Sequence, residues 1–289
     1  MDAQTLADIL SCSADDIPMF HDASPHHTHQ MCNQCLHMQR SHKQQLSSCK
    51  ACGLAMYCSR QCQVAHWPMH KTECKNYQNQ RESVEKLSGL KSAFTDLSAW
   101  KRYHDAAVKN CAIAALNLRE NPHLERTASF CVSLHHTGDL SVPPHKRFIL
   151  RNVSLLSHDQ LIHRRMVYTM LALKGYPAIC ERGRVELGAR YYGSIRVAIL
   201  ASYGPDASKP TATTERLVHF SINKELAKAR VVTRDWAALL GEYVRLGARM
   251  RFCCGKITEA QDICCCGGWI HDEEKVKEFH NVEETGKRR

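Results

Sequence analysis

The hydrophobic positions of this chain fall into periodic runs chiefly beyond residue 93. Trp100, Tyr103, Ala106, Ala107 and Cys111 recur at the three-to-four spacing of one helical face, and Asn121-Pro122 supplies a stop. A second helix is predicted from Ser157-His158-Asp159-Gln160, which has the form of a capping box. It runs through Leu161, Ile162, Met166, Val167 and Met170, with Gly175 as the stop. A third, capped by Thr233, carries Trp236, Leu239, Leu240, Tyr243 and Val244 and ends near Gly247. Between them lie runs that alternate apolar and polar, as half-buried strands do: Phe130/Val132/Leu134, Phe148/Leu150, Ile195/Val197/Ile199 and Val218/Phe220/Ile222. The order is two strands, a helix, two strands, a helix, and the first pair is joined by a connection too short for a helix. This predicts an α+β domain over 93–252, with a mainly antiparallel sheet and helices packed on one face.

The remaining stretches differ in texture. Residues 1–31, including His26-His27-Thr28-His29, have little pattern and read as a flexible lead. Residues 75–92 are polar and read as a helical or loose connector, and 253–289 form a cysteine-rich tail. Apolar runs such as Val197–Ala201 are far shorter than the roughly 20 residues a bilayer span needs. Met1–Leu10 carries two aspartates and no basic segment, unlike a secretory signal. No transmembrane segment is expected, and a cytoplasmic or nuclear location is.

Sixteen cysteines change the picture. Disulfides persist in oxidising compartments, whereas a dense cysteine pattern in a reducing one more often binds metal. Cys32, Cys35, Cys49, Cys52, Cys58, Cys62, His70 and Cys74 follow the pattern C-x2-C-x13-C-x2-C-x5-C-x3-C-x7-H-x3-C. Zinc takes four thiolate or imidazole ligands in a tetrahedron, and a two-residue gap lets one turn offer two sulfurs to one ion. Eight ligands make two closed sites, which are structural and leave no position for a reactive water. A segment this short cannot bury an adequate apolar core, so two Zn²⁺ ions would supply much of its folding free energy. The competing reading, reduced cysteines buried as small hydrophobes, fits a lone cysteine better than this spacing. His37, His42 and His66 are nearby rivals of lower rank, and spacing alone leaves sequential and interleaved pairing equally open.

Tyr57-Cys58-Ser59-Arg60-Gln61-Cys62-Gln63 and Trp67-Pro68-Met69-His70-Lys71-Thr72-Glu73-Cys74 resemble the second half of a MYND zinc finger, and both upstream C-x2-C pairs fit as well. The gap between Cys35 and Cys49 is longer than the family usually shows. The resemblance implies a small, irregular, cross-braced finger. Cys32, Cys35, Cys58 and Cys62 would hold one zinc, and Cys49, Cys52, His70 and Cys74 the other. It also implies a protein-binding role, often toward proline-containing peptides, with contacts from Gln63 and Trp67. Lys50-Ala51 departs from the pattern by placing no small polar side chain between Cys49 and Cys52. The helix–strand body is faintly similar to the C-terminal regions of fungal MYND proteins.

Charge and missing motifs complete the reading. The net charge is +10, yet residues 1–74 hold five Lys/Arg against six Asp/Glu. That disfavours nucleic-acid binding by the cysteine-rich part alone. Ten Lys/Arg face three acidic residues over 140–200, among them Lys146, Arg147, Arg164, Arg165, Arg182, Arg184, Arg190 and Arg196. Dispersed in this way they read as a solvated face, with nucleic-acid contact as the alternative. No SET-type Asn-His-x-Cys segment, G-x-G-x-x-G, P-loop, G-x-S-x-G or H-E-x-x-H occurs. Cys253, Cys254, Cys264, Cys265, Cys266 and His271 read first as thiols packed on the body, then as a third metal site, then as a lipidation site. The expectation is a zinc-binding adaptor without enzymatic activity. A transcriptional or chromatin regulator is the alternative, and a methyltransferase stands further behind.

Overall fold

A computed structural model describes residues 19–20, 23, 26, 30–36, 46–163, 167–232 and 235–247, the side chains of 167–174 excepted. Thr233, Met166, His27, Thr28, His29, His37, His42 and the cysteines beyond residue 252 lie outside the described residues. Two compact units separate, one within 27–82, the other formed by 83–247 together with Met19, Phe20, Ala23 and His26. No helix among the described residues is long and apolar enough to cross a membrane.

The first unit holds a small antiparallel pair, β1 (Ser47–Ser48) and β2 (Met56–Tyr57), and most of a long helix, α1 (Arg60–Ser88). In the second, α2 (Ala93–Leu116) buries Phe94, Leu97, Trp100, His104, Ala107, Val108 and Cys111 on one side. It ends earlier than Asn121-Pro122. Asn117 adopts the left-handed conformation (φ 40°) and its N–H bonds Ile113 O, as an asparagine C-cap does. Four strands follow: β3 (Ala128–His136), β4 (Phe148–Ser157), β5 (Tyr191–Tyr203) and β6 (Ala212–Asn223). Their order in the sheet is β4-β3-β5-β6. The outer pairings β3/β4 and β5/β6 are antiparallel and the central β3/β5 pairing is parallel. The sheet is therefore mainly antiparallel with one parallel pairing. That parallel pair needs a crossover, supplied by α3 (His158–His163) and α4 (Val167–Leu187).

The capping box forms as read: Gln160 N–H donates to Ser157 Oγ (3.2 Å), and Gln160 Oε1 accepts from Ser157 N–H (2.8 Å). The stop does not. Helix α4 continues through Gly175 and Pro177 to Leu187. At Gly183 it lies so close to the sheet that a Cβ would collide with Ser221 Oγ and the Tyr191 ring. Tertiary packing has overridden the local glycine signal. The third helix, which follows the short α5 (Lys224–Ala227), is α6 (Trp236–Leu246). Its cap is Asp235, whose side chain accepts from Ala238 N–H (3.0 Å).

The expectation of helices on one face is also corrected. On one face stand Phe130, Val132, Leu134, Val197, Ile199 and Tyr203. There Tyr203 donates to Ala93 O of α2 (3.0 Å), and Trp236 of α6 meets Phe130 edge-on. On the other face Leu161 of α3 packs with Cys131, Leu156 and Ala198. Tyr176 of α4 donates to Ser194 O at 2.7 Å on that same side. The sheet is the middle of three layers. Ser194, Arg196 and Ser202 alternate with the apolar positions of β5, yet their hydroxyls and the Arg196 Nη2 bond inside the fold. Arg196 Nη2 donates to the carbonyls of Glu125 (2.9 Å), Arg126 (3.0 Å) and Ala128 (3.2 Å), and its guanidinium lies 4.1 Å from the Tyr176 ring centre.

Asp96 fastens α2 to the β3–β4 connection. It accepts from Arg147 Nη1 (2.9 Å), His136 Nε2 (3.1 Å) and Ser92 Oγ (2.8 Å). His136 Nδ1 accepts from Gly138 N–H (3.0 Å), so the imidazole is neutral with its proton on Nε2. Burial lowers its pKa against the opposing pull of Asp96. Asp96→Ala would leave a guanidinium and an imidazole N–H without their shared acceptor inside the fold. A loss of about 3–5 kcal/mol is expected, read from urea melts, with a smaller loss for Asp96→Asn.

His219 on β6 supplies a pH test. Burial first, then the charge of Arg196, bring its pKa from 6.5 to about 4. The unfolded chain thus binds a proton that the native state refuses between those values. Stability should be full above about pH 6.5 and fall by up to about 3 kcal/mol as pH drops to 4. Urea melts of the wild type and His219→Gln at pH 7, 5.5 and 4.5 should diverge by that amount. Parallel pH dependences would refute the assignment.

Candidate metal centre

Two turns of the C-x2-C type present the first sulfurs. In one, Leu36 N–H donates to Cys32 O (3.0 Å); in the other, Gly53 N–H donates to Cys49 O (2.7 Å). Each turn closes on a residue with positive φ, 61° at Leu36 and 74° at Gly53. Glycine is required at the second position for a further reason: a Cβ there would stand 3.2 Å from Arg81 Nη2, which donates to Cys52 O (2.8 Å). The turns are tied to β2 and the residue before it by backbone bonds, Asn33 N–H to Met56 O (2.8 Å) and Cys49 N–H to Ala55 O (2.7 Å). Cys58 directly follows β2, and α1 starts two residues later, where Ser59 Oγ accepts from Cys62 N–H (3.2 Å).

The ligand atoms gather in two tetrads. One comprises Cys32, Cys35, Cys58 and Cys62; the other comprises Cys49, Cys52, His70 and Cys74, and within each the donor atoms lie within 4.8 Å of one another. Measured edges are 3.5 Å for Cys35–Cys58 and for Cys58–Cys62. They are 3.9 Å for Cys49–Cys74 and 3.6 Å from Cys52 Sγ to His70 Nε2. A tetrahedron with Zn–S bonds of about 2.3 Å has edges of roughly 3.8 Å, so these spacings suit a zinc ion at each centre. The sets interleave along the chain, giving the cross-braced arrangement. All four members of the second tetrad are buried, whereas Cys35 is exposed and Cys58 and Cys62 are half-buried.

Protonation of the bare thiols points the same way. Burial pushes the Cys32 thiol up, but backbone N–H groups of its turn, led by that of Cys35, bring it down to about 6. Cys49 is likewise raised by burial and brought to about 6, first by the Cys52 N–H and then by His70. Hydrogen bonds with Cys35 and Cys62 push Cys58 up to about 12. Burial and the charge of Cys52 push Cys74 up to about 11. Sulfurs this crowded cannot all ionise unaided, and a dication bound among them removes that obstacle.

A model of the MYND finger family matches residues 32–74. Residues 32–74 are a MYND zinc finger. Over 51 residues the chain is 43% identical to SET domain-containing protein 14 of Caenorhabditis elegans, a match covering 18% of this chain and 11% of that protein. Over 45 residues it is 42% identical to N-lysine methyltransferase SMYD2-B of Danio rerio, covering 16% and 9%. The chain thus spans about a tenth of the length of these curated relatives. No solved structure matches it.

Within the MYND finger, each closed set leaves zinc a structural role. His70 would ligate through Nε2, with Nδ1 3.7 Å from Glu73 Oε2, the kind of carboxylate neighbour that orients a ligand ring. His66 is not in either tetrad. Its Nδ1 pairs with Tyr57 OH (2.9 Å) and its ring stacks on His70 at 5.7 Å, so it braces a ligand. Gln78 Nε2 donates to Cys74 Sγ (3.5 Å) from one turn on. These supports carry no spacing signature, and only a three-dimensional view finds them. Trp67 faces outward at 43% exposure, while Tyr57 is buried. Gln63 lies about one helical turn before Trp67, and its Oε1 accepts from Arg60 Nη1 (2.8 Å).

Purified protein is expected to carry two zinc ions per chain. Cys58→Ser should lower that to about one by disabling the first tetrad, and Cys74→Ser to about one by disabling the second, with additive loss in the double variant. Elemental analysis reads the outcome. A wild type with one zinc or none would overturn the two-site assignment.

Proposed function

We propose that this protein is an adaptor whose MYND finger captures an extended, proline-containing segment of a partner protein, and that the chain itself catalyses no reaction. MYND fingers mediate protein interactions, and this one holds its metals in closed, non-catalytic sets. The observation that carries the finer reading is the outward indole of Trp67, one turn from Gln63 on the rigid helix α1. An indole face stacks on a proline ring, and a glutamine amide can bond an extended backbone. The relatives named for methyl transfer align with this chain over the finger alone, so their chemistry is not carried over with the match. The reduced thiols suit a cytoplasmic or nuclear setting.

The alternative of nucleic-acid contact through 140–200 loses support from where its cations stand. Arg147 is engaged by Asp96 and by the carbonyls of Val142 and Leu140, and Arg196 is buried beneath α4. Arg184 pairs with Glu181 (2.8 Å). Counterion release rewards cations that can reach phosphates, and Arg147 and Arg196 are committed elsewhere.

Affinity for a short proline-containing peptide should be on the order of micromolar or weaker, given the small contact. Trp67→Ala should weaken it by about 1–2 kcal/mol while two zincs and the thermal melt are retained. A peptide array that yields no proline-dependent ligand would leave the finger a structural element. Labelled-methyl transfer by the purified chain to histones or other proteins would overturn the non-enzymatic reading.

A further inference from the structure

The net charge over 1–74 conceals an asymmetry. The acidic residues Asp2, Asp8, Asp15, Asp16 and Asp22 all precede the finger. Residues 32–74 hold Arg40, Lys43, Lys50, Arg60 and Lys71 against the single acid Glu73. That one carboxylate is turned away to its own neighbours: Tyr77 OH donates to Oε1 (3.0 Å), and Oε2 lies 3.7 Å from His70 Nδ1.

Three of the five cations of α1 share one face with two apolar residues. Arg60, Val64, Trp67, Lys71 and Lys75 follow at steps of four, three, four and four, which keeps them on one stripe of the helix. All five are exposed, Val64 at 57% and Trp67 at 43%. The middle of the stripe is apolar and its two ends are cationic. At 1.5 Å per residue, Arg60 lies about 10 Å from Trp67 along the axis, and Lys71 about 6 Å on the other side. An extended peptide advances about 3.3 Å per residue. A residue stacked on Trp67 would thus have neighbours about three positions away near Arg60 and about two positions away near Lys71.

Resting on the peptide-binding reading above, we propose that the partner segment is acidic at both flanks. Aspartate or glutamate would stand about three residues from the proline on one side and about two on the other, facing Arg60 and Lys71 with Lys75. Arg60 then has two tasks, since its Nη1 also holds Gln63 Oε1. Exposed charge pairs are individually weak and act mainly on association and selectivity, so the signature is a salt-dependent preference rather than high affinity.

The test uses the full zinc-loaded chain and fluorescence polarisation with the proline core recovered on the array, made with neutral, acidic or lysine flanks at those spacings. The acidic version should bind about tenfold tighter than the neutral one at low salt, falling to about twofold near 0.5 M salt, and the lysine version weakest. Lys71→Glu combined with Lys75→Glu should abolish or invert the preference while zinc content stays at two per chain. Trp67→Ala should weaken all three. Equal binding of acidic and neutral versions would overturn the charge inference and leave the peptide reading standing. Absence of any proline-dependent binding would defeat the peptide reading itself. Salt-sensitive binding of random duplex DNA that the two lysine reversals abolish and Trp67→Ala leaves intact would assign the stripe to nucleic acid instead.

Discussion

The finger depends on one helix answering to two metal centres. Cys62 belongs to one tetrad, while His70 and Cys74 belong to the other, so α1 must satisfy both at once. His70 stands eight positions beyond Cys62, which is about 12 Å along the axis. Two tetrahedra that far apart on one rod fix its rotation as well as its position. A single centre would leave the helix free to turn about its ligand. The outward direction of Trp67 and the cationic stripe beside it are therefore consequences of metal geometry more than of apolar packing. The packing is correspondingly thin: the finger's buried cluster is built largely from the ligand cysteines with Leu46, Ala55 and Tyr57.

The body unit solves a different problem. Its sheet is covered on both faces, and the second cover is held by polar side chains as well as by the small apolar cluster around Leu161. Arg196 donates to three carbonyls of the segment entering β3, and Tyr176 reaches the backbone of both Glu125 and Ser194. Buried donors satisfied in this way specify a register as well as filling space, since a one-residue slip would orphan them. The parallel β3/β5 pairing imposes the same arrangement topologically, because its crossover has to pass over one face of the sheet.

These two solutions were unequally legible in the sequence. Every member of the metal tetrads could be read from spacing, because chelation by a two-residue turn or a helical step is a local constraint. The interleaved pairing came from the resemblance to a family, since local spacing permits either pairing. All four strands were found from alternation, and the box of Ser157 and Gln160 from its residues. What failed were signals whose meaning depends on distant partners. Gly175 resembles a stop until the sheet beneath α4 is seen, and Ser194 and Arg196 look solvent-facing until Tyr176 covers them. The cluster of Asp96, His136 and Arg147 spans 51 residues of sequence between its ends and has no motif to announce it.

This division also decides what the similarity to methyltransferases can carry. A unit stabilised by metal ligation needs little from its surroundings, so it can be joined to unrelated bodies without losing its fold. The family match covers 32–74, and the body beyond it is organised around its own mixed sheet and polar anchors. Chemistry resides in sites, and in this chain the shared segment offers saturated metal centres and one exposed face. What such a segment transfers between proteins is the capacity to hold a partner. On the proposed reading, the choice of partner would rest on side chains that the metal does not use, and on the exposed stripe of α1 with Gln63 those are Arg60, Gln63, Val64, Trp67, Lys71 and Lys75.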